Sequence, residues 1–327
     1  MAEKKHIPFL VLELLQRYSD EEHPLRAQDL LALLENEKGI KIERRTLYSN
    51  IDILMQAGYE ISDYSDNGKG YYLMRRTFEK SEILMLCNVI HASHFISEKQ
   101  SSDLIRRLLS TMSTYQQKEY LDAVYLPNRQ KTPSKSLFYN IEQISEAIRD
   151  HKCIEFTYTR FDKNKKLVPR RAKPYTVEPR YIVYSNSRPY LICTSLNHPD
   201  FAHYRIDRII NIKKLDSDVS RMAREYKEAY EYASDKLFMY AGDTERISIR
   251  CDQRIMDQMI DIFGPQLRIL EADNGSFTAV IHTTAEGALF LAQQFMDGLE
   301  IIEPQEIRQL MHERLLETAA RYEEAVR

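Results

Sequence analysis

Two short segments decide the predicted fold: Arg188-Pro189-Tyr190-Leu191-Ile192-Cys193 and Tyr204-Arg205-Ile206-Asp207-Arg208-Ile209. Each alternates in the way that is typical of a β-strand. The three-residue spacing of Arg205 and Arg208 predicts that both guanidinium groups reach the mouth of one small barrel. Because clustered guanidinium groups are costly unless an anionic or acidic group meets them, this strand pair predicts a site that binds an anion.

The sequence around these segments predicts further short strands. A helix is expected at 136–150, and strands are expected at 153–161, 174–178, 180–185, 189–195 and 201–206. So many short strands in so short a segment indicate an SH3-like or Sm-like barrel. The many lysines of the segment are expected to lie on a solvated loop. For Arg205 and Arg208 we favour a site for a nucleotide or a short nucleic acid, with Asp207 pairing with one of them and Tyr190 offering a ring or a hydroxyl.

The N-terminal segment predicts a DNA-reading module. Helical spacing of apolar residues is present at 5–18, again after Pro24, and at 43–57, and two strands at 59–64 and 71–74 flank a glycine-rich turn. Three helices and a β-hairpin are the elements of a winged helix-turn-helix. The third helix would read the major groove, and Lys69 on the wing would reach a phosphate. The candidate DNA-binding residues are Arg44, Arg45, Thr46, Tyr48, Ser49 and Lys69.

The charge is divided unevenly among the segments of this 327-residue chain, whose formal net charge is −3. Residues 1–75 carry a net charge of −3, residues 151–215 carry +9, and residues 244–327 carry −7. Such blocks indicate separate domains with separate partners. Because the reading module is not basic as a whole, we expect DNA binding to depend on the paired half-sites of a homodimer.

The remaining segments complete an α+β multidomain chain. Residues 79–122 are predicted to be helical, residues 127–133 to form a loop, and residues 244–327 to follow a β-α-β-β-α-β order with a terminal helix, which is typical of a ferredoxin-like domain. The predicted division is a winged helix-turn-helix, a helical linker or dimerisation region, a barrel domain, a connector and a C-terminal domain: 1–76, 77–135, 136–215, 216–243 and 244–327.

The order of these motifs resembles that of the WYL-domain transcriptional regulators of bacteria. The resemblance covers the whole chain, and Tyr190 and Leu191 match the naming motif, with Pro189 where tryptophan is usual. The third helix, RRTLYSNIDIL, also resembles the family pattern, with Ser49 and Asn50 in place of arginine and aspartate. The resemblance implies that the barrel binds a nucleotide or nucleic-acid effector and alters DNA affinity through the dimer. The matching effector-binding positions are Tyr190, Arg205 and Arg208, with Arg188 beside them.

Several function classes are not supported by the sequence. It contains no phosphate-binding glycine loop, no zinc-protease motif and no nucleophile elbow, so we expect no enzyme activity, catalytic residue, cofactor or metal. Four scattered cysteines and the lack of an apolar stretch of about 18 residues predict a cytoplasmic protein without a membrane segment. Two hypotheses stay open: a regulator that binds double-stranded operator DNA, and an accessory protein that binds single-stranded nucleic acid and modulates an effector complex.

Overall fold

The computed structural model describes residues 6–123, 131, 134–195, 198–220, 236–273 and 275–326. The chain forms two compact units, Met1–Lys135 and Ser136–Arg327. Helices and antiparallel sheets occur in both, so the fold belongs to the mixed α/β class. Among the described residues, no helix is both long enough and apolar enough to cross a bilayer.

The first unit opens with three helices around a shared core: α1 (Ile7–Tyr18), α2 (Ala27–Lys38) and α3 (Arg44–Gln56). Their inward residues follow the helical period, which buries Leu15, Leu34 and Ile51 together. Gly39 ends α2 in the left-handed conformation, at φ 66°, which costs glycine little. The predicted helices at 5–18 and 43–57 are therefore present with bounds that differ by one or two residues.

The predicted hairpin is shorter than expected and its turn is different. The strands are β1 (Ile61–Ser62) and β2 (Tyr72–Leu73), and between them lies a helical turn, α4 (Tyr64–Asn67). The carboxylate of Asp63 accepts hydrogen bonds from the backbone N–H groups of Ser65 and Asp66, at 2.7 and 3.2 Å. This N-cap stabilises helical rather than extended backbone, so the prediction of a strand over 59–64 was wrong beyond Ser62.

Three helices follow in the same unit: α5 (Lys80–Ala92), α6 (Glu98–Leu109) and α7 (Thr114–Ala123). They share a small core that contains Ile83, Cys87 and Met112. This agrees with the helical character predicted for 79–122. Most of the predicted loop 127–133 lies outside the described residues.

The second unit begins with α8 (Leu137–Arg149), which packs on an antiparallel sheet. The strands of this sheet are β3 (Lys152–Phe161), β4 (Leu167–Pro169), β5 (Tyr175–Ser185), β6 (Arg188–Ser195), β7 (His198–Arg205) and β8 (Ile209–Asp218). The sheet runs in the order β8-β3-β5-β6-β7, and β4 pairs with the end of β3. Its closure into a small barrel stays a prediction.

Four features of this sheet differ from the expectation. The strands predicted at 174–178 and 180–185 form one strand, β5, with a register shift between Pro179 and Tyr181, and the short strand β4 was not predicted. The predicted strand at 201–206 ends at Arg205, and Ile206–Arg208 form a single 3₁₀ turn. The strand β8 was not predicted, although Lys152 of β3 pairs with Asp218 and Tyr158 pairs with Ile209. Its later half is charged and exposed, so its sequence is typical of a solvated segment. It becomes a strand because β3 offers a backbone edge from a distant part of the chain.

The last segment forms a four-stranded antiparallel sheet with helices: β9 (Thr244–Asp252), α9 (Met256–Phe263), β10 (Arg268–Ala272), β11 (Ser276–Thr284), α10 (Ala285–Gln294), β12 (Leu299–Glu303) and α11 (Gln305–Val326). The strand order is β12-β9-β11-β10, and Ile249, Phe277 and Leu289 lie in its core. The predicted β-α-β-β-α-β order is present. Most of the predicted connector 216–243 lies outside the described residues, and the five predicted domain ranges stay predictions.

Candidate functional site

Helix α3 separates its apolar residues from the predicted DNA-reading residues. Leu47, Ile51 and Leu54 are buried against α1 and α2. The opposite side carries four exposed members of the predicted set: Arg44, Arg45, Tyr48 and Ser49. An exposed face with two guanidinium groups at the first turns of a helix can donate hydrogen bonds to phosphates or to guanine.

The polar side chain of Asn50 is engaged within helix α3. Asn50 is buried, and its Nδ2 donates a hydrogen bond to the carbonyl of Thr46 at 2.6 Å. Thr46 itself is half-buried. Thr46 is therefore less accessible to DNA than the residues beside it. The ring of Tyr48 lies 6.4 Å from that of Tyr71, whose backbone pairs with Leu25.

The loop that carries Lys69 is shaped by Asn67. Its Oδ1 accepts hydrogen bonds from the N–H groups of Lys69 at 2.6 Å and Gly70 at 2.9 Å, and its Nδ2 donates to Ser62 Oγ at 2.8 Å. A Cβ at Gly70 would lie 2.4 Å from the carbonyl oxygen of Leu25, so only glycine fits there. The Lys69 side chain remains exposed at the tip of this defined loop.

Arg205 and Arg208 meet on the carboxylate of Asp207. Arg205 binds it through two bonds, Nε to Oδ1 at 3.0 Å and Nη2 to Oδ2 at 2.7 Å, while Arg208 Nε lies 3.9 Å from Oδ2. The Asp207 side chain is 1% exposed, against 22% and 17% for Arg205 and Arg208. The structure places the two predicted arginines on one carboxylate, and their role as an effector site stays a prediction. The sequence underestimated Asp207, which contacts both guanidinium groups rather than one.

The turn that presents Asp207 is held by α8 and β3. Nδ2 of the buried Asn140 donates to the carbonyls of Ile206 at 3.2 Å and Ile209 at 2.7 Å, on both sides of the turn. Thr159 Oγ1 donates to the carbonyl of Arg208 at 2.8 Å. These bonds satisfy carbonyls that a 3₁₀ turn leaves without strand partners. The position of the two guanidinium groups is thus set by the surrounding fold.

Tyr190 pairs with Arg205 in the register of β6 and β7, so the sheet brings together the two predicted residues. Tyr190 is buried, and burial together with the nearby Tyr158 and Asp207 raises its pKa to about 12. Its hydroxyl therefore stays protonated and can donate to an anion. Arg188 lies two residues before Tyr190 on β6, at the same end of the sheet as Arg205, and is half-buried.

Arg208 is further positioned by an aromatic ring. Its guanidinium carbon lies 4.1 Å from the ring centre of Phe161, a geometry that favours a cation–π interaction. Burial and the neighbouring charge of Arg205 lower the pKa of Arg208 below its ordinary value. Both causes reflect two neighbouring positive groups that are partly removed from water.

The sequence did not single out an aromatic cluster in the same sheet. Phe156, Tyr158, Tyr175 and Tyr204 lie with ring centres 5.1 to 6.2 Å apart. The guanidinium carbon of Arg171 lies 3.4 Å from the centre of the Tyr175 ring. The alternation of Phe156 and Tyr158 in β3 places them on one face of the strand, and this was the signal that could have indicated the cluster.

A buried carboxylate at Glu178 was also missed. It accepts hydrogen bonds from Ser220 N at 2.8 Å, Thr194 Oγ1 at 2.9 Å and Arg180 Nη2 at 2.7 Å. Burial acts to raise the pKa of Glu178, but these partners outweigh burial and the pKa is lowered. Glu178 therefore anchors the chain just after β8. Within the described ranges, no three His, Cys, Asp or Glu residues converge as metal ligands.

Comparison with known proteins identifies one domain. The model of the WYL domain family matches residues 139–214, from α8 into β8, and this range includes Tyr190, Arg205 and Arg208. No curated protein matches the chain significantly.

Two solved structures show similarity at 14% identity. Proteasome accessory factor B/C (PafBC) of Arthrobacter aurescens aligns over 94% of this chain and 47% of its own, with a TM-score of 0.28. A CRISPR Cas-related protein aligns over 76% of this chain and 73% of its own, with a TM-score of 0.41. The chain thus spans about half the length of the PafBC chain. The family match identifies a WYL domain at residues 139–214 of this chain.

Proposed function

We propose that this protein is a WYL-type transcriptional regulator that binds operator DNA through residues 1–76 and an anionic effector through its WYL domain. The observation that carries the proposal is the face of α3, on which Arg44, Arg45 and Tyr48 are exposed while the opposite face is buried. A helix with such a face can enter the major groove and contact base edges and phosphates. Lys69 on the adjacent loop would contact a phosphate.

The finer fold assignments are part of this proposal. Three helices and a short hairpin support a winged helix-turn-helix. The order β8-β3-β5-β6-β7 supports an SH3-like or Sm-like barrel, and the order β12-β9-β11-β10 supports a ferredoxin-like domain. The protein would act as a cytoplasmic homodimer without catalytic activity, a cofactor or a membrane partner.

Charge supports the homodimer. Residues 1–75 carry a net charge of −3, so one copy of the module offers DNA little long-range attraction. Two copies could bind half-sites about 34 Å apart and combine their local contacts. The acidic segment 244–327 of one copy complements the basic segment 151–215 of the other, which favours pairing of unlike segments between copies.

The effector would bind beside Asp207. Arg205 uses Nε and Nη2 to hold this carboxylate, and a guanidinium group has five N–H donors, so other donors of Arg205 and Arg208 are available to an anion. Tyr190 would add its hydroxyl. Effector binding would change which contacts Asp207 and its 3₁₀ turn make. This change would be transmitted through the dimer and would alter the affinity for DNA, so that a coupling free energy links the two sites. A nucleotide or a short nucleic acid has the required charge.

The experiment is a mobility shift with the DNA upstream of the gene that encodes the protein, at several salt concentrations. We expect sequence-specific binding of the double strand, weakened about 10-fold or more by Arg45→Ala because a base or phosphate contact is lost. Arg106→Ala is the matched control, since Arg106 is exposed on α6 and pairs with Asp103. It removes the same charge from the same unit and should change binding little.

Equal affinities of Arg45→Ala and Arg106→Ala would contradict the proposed role of α3. The second candidate function, an accessory protein that binds single-stranded nucleic acid, is favoured by the four-ring cluster beside Arg171, because bases stack on aromatic side chains. It predicts retention of single strands only, lost in Arg205→Ala and unchanged in Arg45→Ala. That pattern would replace the regulator hypothesis.

A further inference from the structure

The hairpin that joins β3 to β4 carries a concentration of positive charge. Residues 160–173, named here the basic hairpin, contain seven cationic side chains and a single carboxylate, that of Asp162, which gives the segment a net charge of +6. All seven cationic residues are exposed: Arg160, Lys163, Lys165, Lys166, Arg170, Arg171 and Lys173. The Tyr190, Arg205 and Arg208 cluster lies outside this segment.

The turn of the basic hairpin has a defined shape. The carboxylate oxygen Oδ1 of Asp162 accepts hydrogen bonds from the N–H groups of Asn164 at 2.9 Å and Lys166 at 2.8 Å, and the N–H of Asp162 donates to the carbonyl of Lys166 at 2.9 Å. Lys165 has a φ of 61°, which is typical of the last position of a three-residue hairpin turn. The single carboxylate is thus engaged by the backbone, and three lysines are carried by one tight turn.

The base of the basic hairpin is held without neutralising its charge. Arg171 Nε donates to the carbonyl of Lys173 at 2.9 Å, and its Nη2 donates to that of Pro174 at 2.8 Å, while its guanidinium carbon lies 3.4 Å from the ring centre of Tyr175. Across the described ranges, no carboxylate forms an ion pair with any of the seven cations. Like charges held together in this way attract an anion from outside the chain.

The chemistry of the basic hairpin fits a phosphate backbone. Duplex DNA carries one negative charge per about 1.7 Å of its axis, so several cations of one short turn can each contact a phosphate. Residues 162–174 contain no aromatic side chain, whereas proteins that bind single strands commonly offer rings on which the bases stack. The basic hairpin therefore favours a duplex over a single strand.

The acidic segment 244–327 of a second copy is the competing anionic partner. Several of its carboxylates already pair with arginines of the same segment: Glu286 with Arg314, Glu300 with Arg308 and Asp252 with Arg254. Duplex DNA holds only small counterions, which are released when a cationic protein binds. DNA is therefore the better match for a dense group of cations.

We propose that the basic hairpin binds the phosphate backbone of duplex DNA without recognising its sequence. The proposal rests on the proposed regulator function for its DNA partner and adds to α3 a second contact surface. Because residues 1–75 carry a net charge of −3, the basic hairpin supplies the attraction that this module lacks. It raises the affinity for every duplex, while Arg44 and Arg45 supply the preference for the operator.

The test is fluorescence anisotropy of the full chain with a random-sequence duplex of about 24 base pairs, at salt concentrations from about 50 to 200 mM. The glutamine triple variant combines Lys163→Gln, Lys165→Gln and Lys166→Gln. We expect it to bind the duplex about 10-fold or more weakly than the parent. The slope of log affinity against log salt concentration should become shallower by about 1 for each phosphate contact that is lost.

Two further triple variants serve as controls. The first combines Lys213→Gln, Arg246→Gln and Arg268→Gln, which remove three exposed cations of β8, β9 and β10 in the same unit, and it should change neither the affinity nor the slope. The second replaces the three lysines of the hairpin turn by arginine. It keeps the charge and should bind as the parent does, which excludes an altered fold as the cause of the loss.

Four results would overturn the proposal. The first is an equal effect, or none, in the two glutamine triples, and the second is a loss in the arginine triple as large as that in the glutamine triple. The third is failure of the parent to bind the random duplex at about 50 mM salt. The fourth is a loss of homodimer in sedimentation velocity with unchanged DNA affinity, which would assign the basic hairpin to the acidic segment of a second copy.

An operator duplex separates this proposal from the regulator function. The glutamine triple of the hairpin should weaken binding of the operator and of the random duplex by the same factor, so the ratio of the two affinities stays unchanged. Arg45→Ala should lower that ratio. A parent without any preference for the operator would contradict the regulator function, while the salt slope on the random duplex would still decide the role of the basic hairpin.

Discussion

Arg44 and Arg45 at the start of α3 lie exposed, whereas Arg205 and Arg208 are 22% and 17% exposed beside the buried carboxylate of Asp207. The two pairs therefore differ in what fixes them. The second pair is oriented by the chain itself, whereas the first pair would take its geometry from the DNA of the proposed function. Substitution of the first should affect binding alone, and substitution of the second should affect stability as well.

The largest expected effect is on stability, and it distinguishes the two pairs of arginines. Arg205→Ala removes both hydrogen bonds that Arg205 donates to Asp207 and leaves a carboxylate that is 1% exposed, with Arg208 as its remaining ion-pair partner among the described residues. Breaking such a buried pair destabilises a protein by roughly 3 kcal/mol. Arg45→Ala should change stability by less than about 0.5 kcal/mol. Urea denaturation with hydrogen exchange resolved at β7 measures both.

Arg205→Lys is the control for charge. It keeps the cation but cannot form the two parallel bonds, so we expect an intermediate loss of stability. If Arg205→Ala and Arg45→Ala had equal stabilities, the contrast between the two pairs of arginines would not hold.

A smaller effect concerns the buried acid of the first unit, Asp20. Burial acts to raise the pKa of Asp20, but hydrogen bonds from Ser113 and His23 outweigh it, so the pKa lies below 3.8. The stability that it contributes is present above the unfolded-state pKa and is lost as the pH falls through the folded-state pKa. Ser113→Ala should lower the free energy of unfolding by about 1 kcal/mol at pH 7. The difference in this free energy between the variant and the parent protein should narrow below about pH 4.

The measurement is urea denaturation from pH 7 to pH 3, with Ser110→Ala as the control, since Ser110 is an exposed serine of the same segment. A loss of stability in Ser113→Ala that did not change with pH would show that Asp20 is not the titrating group involved. The expected result would extend the comparison of the two arginine pairs. In the first unit the buried acid Asp20 joins the end of α1 to the segment before α7, and this contact does not involve Arg44 or Arg45.

The smallest effect tests the ring beside Arg208. Phe161→Leu keeps an apolar side chain but removes the ring that lies 4.1 Å from the guanidinium carbon. A cation–π interaction at a partly exposed site is worth about 0.5–1 kcal/mol, so stability should fall by that amount and effector affinity should fall modestly. Phe138→Leu, at an exposed phenylalanine of α8, is the comparison. Equal losses in the two variants would show that the ring does not position Arg208.

The sequence predicted what depends on neighbours along the chain. Helical spacing placed α1 and α3, and alternation placed β6 and the strands of the last sheet. It did not predict β8, because that strand depends on the distant edge of β3. Nor could it predict that Asp207 contacts both arginines, since this requires the 3₁₀ turn that Asn140 holds from α8.

The pairing of β3 with β8 has a consequence for synthesis. Lys152 emerges from the ribosome well before its partner Asp218, and β3 must pair on one side with β5 while its other edge stays open. At roughly 5–20 residues per second, the interval lasts several seconds. Open strand edges are templates for pairing with other chains. The WYL domain therefore passes through a vulnerable nascent state, and the rate at which ribosomes translate the codons of β4 to β8 sets how long that state persists.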